Sequence, residues 1–217
     1  MGAVNTSMKS QVPTMPSRRA LMAGFAIGGV LIGLGACTTT SAPSLEADPA
    51  YARKVVTYPS PEPPGTIVID PGSHFLYLVQ GGGQAIRYGV GVGGEGFGWS
   101  GMALVHTKQE WPDWYPPVEM LQRKPELREH MVQLQSGLGM KGGPENPIGA
   151  RALYLWQGNK DTLYRIHGTN DPTTIGHNVS SGCIRLTNDD VVDLYNRTPV
   201  GTKVIVLATA TPAAVTQ

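Results

Sequence analysis

A histidine within Ile166-His167-Gly168-Thr169 and a cysteine within Ser180-Ser181-Gly182-Cys183-Ile184-Arg185 stand 16 residues apart in a chain of 217. A thiol beside an imidazole can give up its proton to the ring, and a thiolate attacks carbonyl carbon. Cys183 then reads as a nucleophile and His167 as its base. The small residues on either side leave backbone N–H groups free to face a substrate. That chemistry is acyl transfer. Arg185 lies two residues past the cysteine and shares its face in an extended strand. There it meets either a substrate carboxylate or an acid of the protein itself.

Other chemistries are weaker readings of the same residues. Cys37 is the only other cysteine, so a Cys37 to Cys183 disulfide can be drawn for an oxidising compartment. A metal site of His167, His177 and Cys183 can also be drawn. A structural zinc normally takes four ligands with short paired spacings, which scattered histidines and one thiol do not supply. No cofactor motif and no metal set is read from the chain. His74, His106 and His130 fall in strand-like or polar contexts and receive no role. Tyr154, Trp156 and Tyr164 are aromatics of a core or a groove, and Tyr154 is placed nearest the site as a substrate contact.

These groups need elements to hold them. Gly65-Thr66-Ile67-Val68-Ile69-Asp70, a turn at Pro71-Gly72-Ser73 and His74-Phe75-Leu76-Tyr77-Leu78-Val79 form a hairpin. Ala85 to Val92 follows as a third strand, without an intervening helix or a parallel α/β unit. Between Trp111 and Gly149 six prolines interrupt the rhythm. This insert is expected to be loop, with a short helix in Glu126 to Leu134, and to serve as a lid or substrate wall. Ala152 to Trp156 and Leu163 to His167 are two more strands, delivering His167 at a strand end. Asn188-Asp189-Asp190 caps a helix from Val191 to Asn196, and Lys203 to Leu207 closes the fold. With 28 Gly, 18 Pro and runs of Val, Ile and Thr after residue 65, the expected class is mainly β.

The N-terminus has another texture. Lys9, Arg18 and Arg19 precede an apolar run, Leu21 to Leu34, diluted by four glycines and ended by Leu34-Gly35-Ala36-Cys37. This reads as an export signal over residues 1–36, too short and glycine-rich for a spanning helix. Leu-Gly-Ala-Cys resembles a bacterial lipobox, with Cys37 the lipidated first residue of the mature chain, and Ser17 to Met22 resembles a twin-arginine signal. A lipid on Cys37 would remove the disulfide and leave Cys183 a lone thiol. The signal holds three of the 17 basic residues and none of the 16 acidic ones. The mature chain is therefore at −2, without the basic patch that nucleic acid requires. Residues 37–64, rich in Ser, Thr, Ala and Pro, read as a tether. Residues 65–208 form the catalytic domain, and 209–217 a disordered tail.

His167-Gly168-Thr169, its spacing to Ser180-Ser181-Gly182-Cys183-Ile184-Arg185-Leu186, and Asn188-Asp189-Asp190-Val191 resemble the L,D-transpeptidase catalytic domain, or YkuD domain, of bacterial cell-wall enzymes. The resemblance runs from about Gly65 to Leu207. It takes in Trp114 to Met120 and Gly142 to Ala150, which resemble the long-insert branch that attaches lipoprotein to peptidoglycan. It implies a β-sandwich or β-roll domain with short helices and a Pro-rich insert. It also implies a peptidoglycan L,D-transpeptidase with Cys183 attacking the diaminopimelate carbonyl of a stem tetrapeptide, D-alanine leaving, and a thioester passing to an amine. His167 would take the thiol proton, the Gly168 carbonyl would orient the ring, and N–H groups around Ser181, Gly182 and Cys183 would hold the oxyanion. Many members carry histidine where this chain has Ser181. The implied partners are peptidoglycan stem peptides, a wall-attached protein as a possible acceptor, and a membrane through the lipid. The implied place is the periplasmic face of the envelope, on the outer membrane. A carboxypeptidase using water as acceptor, and a non-catalytic wall-binding lipoprotein, remain as alternatives.

Overall fold

The computed structural model describes residues 46–94 and 97–209. The export signal, Cys37 and the C-terminal tail lie outside these. Strand-forming runs punctuated by Gly and Pro yield β1 (Lys54–Thr57), β2 (Ile67–Asp70), β3 (Phe75–Gly81), β4 (Gln84–Gly89), β5 (Val92–Gly93) and β6 (Gly101–Glu110). The insert follows, with α1 (Val118–Arg123), a 3₁₀ turn (Pro125–His130), β7 (Val132–Leu134) and β8 (Gly137–Gly139). Then come β9 (Arg151–Gln157), β10 (Lys160–His167), β11 (Asn178–Ser180), β12 (Ile184–Arg185), α2 (Asn188–Arg197) and β13 (Lys203–Val206). The fold is mainly β, as the sequence implies.

One sheet carries nine of the strands in the order β1-β4-β3-β2-β13-β6-β9-β10-β12. β13 is its joint, running parallel to β2 and antiparallel to β6. It thus ties the N-terminal meander to the β9–β10 hairpin that bears His167. Being flanked on both sides, β2 reads Ile67-Val68-Ile69 with every residue buried. The β2–β13 and β10–β12 pairs are parallel, a pairing that the sequence reading did not assign. Apolar periodicity marks a strand but says nothing of which neighbour it meets. Beneath the sheet, Ile67, Ile69, Leu76, Leu153, Leu155, Ile166 and Val204 pack with Val191 and Leu194 of α2 into one core. Each large side chain so buried contributes about 1.5–3 kcal/mol.

Three further boundaries differ from the sequence reading. The tether is shorter, since a 3₁₀ turn at Pro49–Tyr51 and β1 are part of the domain, with β1 paired antiparallel to β4. Its Lys-Val-Val-Thr run is a short edge strand hidden behind a Pro-rich flank. The segment Glu126 to Leu134, expected to hold a short helix, holds most of a 3₁₀ helix, Pro125–His130, and the α-helix of the insert lies before it at Val118–Arg123. Pro125 forces Lys124 out of helical geometry, to φ −134° and ψ 71°. For α2 the cap is Thr187, whose hydroxyl accepts the Asp190 N–H at 3.2 Å. That places Asn188 inside the helix, with its side chain free for another task.

Leu153 is fully buried directly beside the strand that carries His167. Leu153→Ala should lower the urea-unfolding free energy by about 2–5 kcal/mol with an unchanged m value.

Candidate active site

The parallel register of β10 and β12 builds the site. Ile166 lies opposite Ile184 and His167 opposite Arg185, so Cys183, one residue before β12, falls level with Arg165. The Arg165 N–H and its charge both act to favour the Cys183 thiolate. Side chains alternate along β10, which sends Ile166 into the core and leaves Arg165 and His167 together on the other face. Across β9, Tyr154 stands opposite Arg165 and Ala152 opposite His167. The structure thus brings together Cys183, His167, Arg185 and Tyr154.

His167 is buried, 6% exposed, and its Nδ1 donates to the Gly168 carbonyl at 2.6 Å. A carbonyl only accepts, so Nδ1 bears the hydrogen and Nε2 is left as the base. The carbonyl is itself fixed from beneath. The Gly168 N–H donates to the Arg151 carbonyl at 3.1 Å, and Asn188 Oδ1 accepts the Ala150 N–H at 2.8 Å. A Cβ on Gly168 would collide with Asn188 Oδ1 and crowd the Ala150 nitrogen. Sequence reasoning assigned Asn188 to a cap; its side chain instead joins the end of the insert to the histidine turn.

The insert is anchored at the same place. Asn146, 1% exposed, donates to the carbonyls of Pro112, Met140 and Lys141 and accepts the Ile148 N–H at 2.9 Å. Its return end therefore serves as scaffold under the histidine. The Ile148 carbonyl also meets the His167 ring.

Around the nucleophile, Ser180 is central. Its hydroxyl accepts the Gly182 N–H at 3.1 Å and donates to the Cys183 carbonyl at 2.6 Å. This corrects the expectation for Gly182, whose N–H is already engaged and is no free oxyanion donor. Among the described residues, the N–H groups of Ser181 and Cys183 make no hydrogen bond, and they are the donors left for an oxyanion. Gly182 has φ +119°, a left-handed value, and a Cβ there would strike the Tyr164 ring and the Phe97 carbonyl. Glycine is needed for that turn.

Arg165 and Arg185 charge the site differently. Asp161 holds Arg165 in a two-pronged pair at 2.7 and 2.8 Å, and the guanidinium lies 4.5 Å over the Tyr154 ring. The Tyr154 hydroxyl is spent on Gln109 Oε1 at 2.6 Å. Arg185 has no ion pair among the described residues, and its buried Nε has no hydrogen-bond partner. The structural salt bridge considered for it is therefore not made. Arg165 was missed by sequence reasoning, because its link to Cys183 exists only across the β10–β12 pairing.

Burial also settles the charge state. It holds the His167 imidazole down to about 4, with the Arg185 charge acting the same way and the Gly168 and Ile148 carbonyls opposing. Burial pushes the Cys183 thiol up, against the Arg165 N–H and the charges of Arg165 and Arg185. Both shifts favour a neutral thiol and a neutral imidazole over the preformed thiolate that the sequence alone suggests. His177 is exposed on the far loop, its carbonyl accepting the Val92 N–H.

The sequence profile of the L,D-transpeptidase catalytic domain, YkuD, matches residues 64–206, and the chain belongs to that family. It is similar to the probable L,D-transpeptidase ErfK/SrfK of Escherichia coli K12, 37% identical over 126 residues, or 57% of this chain and 37% of that one. The probable L,D-transpeptidase YbiS of the same organism is 32% identical over 144 residues, 64% of this chain and 43% of the other. A solved structure from Brucella melitensis, described as a probable carnitine operon oxidoreductase, is 49% identical and covers 74% of this chain and 96% of its own, with a TM-score of 0.49. The chain spans well under half the length of the two curated relatives.

The depressed imidazole has two measurable consequences. As the base is already unprotonated at pH 5, Cys183 acylation should hold its rate from pH 7 to about pH 5 and fall only near pH 4. In the unfolded chain the ring titrates near 6.5, so the native state binds fewer protons between pH 6.5 and 4. Stability should therefore fall on acidification across that window by about 3 kcal/mol, and less in His167→Gln, in denaturant titrations at pH 7 and 4.5.

Ser180 gives a third test. Ser180→Ala frees the Gly182 N–H and the Cys183 carbonyl from their shared partner. It should slow acylation about tenfold, the equivalent of one such interaction, with little change in melting temperature.

Proposed function

We propose that the protein is a peptidoglycan L,D-transpeptidase. Family membership supports this reading, and the observation that carries it is the His167 ring held through Nδ1 by the Gly168 carbonyl at 2.6 Å, which leaves the other ring nitrogen as the base for Cys183 in this reading. As the Cys183 sulfur bonds to the diaminopimelate carbonyl of a stem tetrapeptide, its proton passes to His167 Nε2. The N–H groups of Ser181 and Cys183 take the oxyanion. Collapse breaks the peptide bond, the imidazolium returns its proton to the leaving D-alanine, and a thioester remains. An acceptor amine then attacks the thioester, His167 removes its proton, and the thiol is restored. Arg185, charged and without an acid partner among the described residues, is suited to a carboxylate of the stem peptide.

The N-terminal segment sets where this happens. Leu34-Gly35-Ala36-Cys37 supports lipidation of Cys37 after export, and Thr38 supports passage to the outer membrane. Among the described residues no helix is long and apolar enough to cross a membrane.

Purified protein given disaccharide tetrapeptides should release D-alanine and form tripeptide cross-links between diaminopimelate residues. Cys183→Ala should do neither and should gain no mass with a carbapenem. D-Alanine release that survives in Cys183→Ala overturns the reading. Release without cross-linking makes water the acceptor. Cys37→Ser should move the protein from the membrane to the soluble periplasmic fraction with its chemistry intact.

A further inference from the structure

The N-terminal arm, expected from sequence to be tether, enters the active-site scaffold. Tyr51 closes the 3₁₀ turn and lays its ring where Gly176 has no side chain, while its own Cβ and carbonyl fill the space beside Gly89. A Cβ on either glycine would collide with Tyr51. Phe75 tilts against the ring at 5.5 Å, and His74 meets its edge at 6.4 Å. His74 Nε2 is 2.7 Å from Asn178 Oδ1. Tyr51 and His74 therefore grip the 171–178 loop, which joins His167 to Cys183, at two points.

From that grip the path to the nucleophile is short. The Gly176 N–H donates to the Val90 carbonyl at 3.0 Å, and the Val90 N–H donates to the His74 carbonyl at 2.9 Å. Gly91 exchanges both its backbone bonds with Arg185, at 2.9 and 2.8 Å. Val92 and Gly94 take up the His177 and Ser180 carbonyls in turn. Arg53, two residues past Tyr51, pairs with Asp193 at 3.0 Å and Asp190 at 3.6 Å on α2, the helix whose Asn188 supports the histidine turn.

We propose that Tyr51 is a positioning residue for Cys183, a clasp by which the N-terminal arm holds the 171–178 loop and, through Val90 and Gly91, the strand that follows the nucleophile. It acts through those groups and touches no substrate. The proposal rests on Cys183 being the acylated residue. The ring's bulk is what the glycine hollow selects. Losing the clasp should loosen the loop, misplacing the thiol for a large acylating substrate while opening it to a small reagent.

The test uses the full chain, with carbapenem acylation and iodoacetamide alkylation both read by mass at the Cys183 peptide. Tyr51→Ala should acylate roughly 10- to 100-fold more slowly, the usual effect of misplacing a reacting group, and alkylate faster than wild type. Tyr51→Phe, which keeps the ring, should stay within about twofold on both. Val206→Ala, a core change on β13 outside the clasp, is compared at the same interval below its own melting point and should alter neither. Asn178→Ala, at an exposed position, should move both rates in the same directions as Tyr51→Ala but less, and serves if the latter does not fold. The clasp is overturned if Tyr51→Ala, or Asn178→Ala in its place, matches wild type, or if Val206→Ala reproduces the same pair of changes. A wild-type protein that a carbapenem does not label at Cys183 would overturn the acyl-transfer reading instead, and the alkylation rates would still decide the clasp.

Discussion

The pairing of two residues of β12 with the end of β10 is the constraint on which the site depends. It is parallel, so the chain must leave β10 at His167, travel out and return in the same direction before the pair can close. The 171–178 loop, its 3₁₀ turn and β11 make that journey, and Cys183 is the first residue back. One register sets the neighbour of each reactive group: His167 against Arg185, Cys183 against Arg165. A slip of β12 by one residue would exchange its faces and send Arg185 toward the core in place of Ile184. So short a pairing cannot hold itself. Gly91 bonds β12 from its other side, Ser180 ties the turn before it, and Leu186 beyond it donates to the His167 carbonyl at 2.8 Å.

The depth of the pair then determines its electrostatics. A buried imidazole beside a guanidinium resists protonation, and a half-buried thiol resists ionisation, even with two arginines near it. Both directions favour the neutral forms over an ion pair, in a site oriented by backbone carbonyls and N–H groups. This orders the roles of the surrounding residues. The Gly168 carbonyl fixes the tautomer, the Ser181 and Cys183 N–H groups are left free among the described residues, and Arg185 has no ion pair there while Asp161 occupies Arg165.

Elements remote in sequence converge on supporting these few atoms. The insert returns through Asn146 and Ile148 to place Ala150 beneath Gly168. α2 supplies Asn188 to the same point and its acids to Arg53. The arm before the sheet supplies Tyr51. Support from these three directions accounts for the close approaches at Gly149, Gly168 and Gly176, where no Cβ fits.

Read alone, the sequence determined the family and the fold class. Cys183 and His167 are few-choice residues within motifs of fixed spacing, and alternating Val, Ile and Leu between Gly and Pro can only be β. It located most strand cores and the helix after the nucleophile, because period and turn residues are local signals. What it left open is what depends on neighbours distant in the chain. The parallel pairs, the role of Arg165, the engagement of the Gly182 N–H by Ser180, Asn188 as a prop and Tyr51 as part of the domain each arise from contacts that no local pattern encodes. The charge state was decided the same way. A cysteine and a histidine in sequence suggest a thiolate, but how much water reaches them is fixed only when the sheet, insert and arm have closed around them.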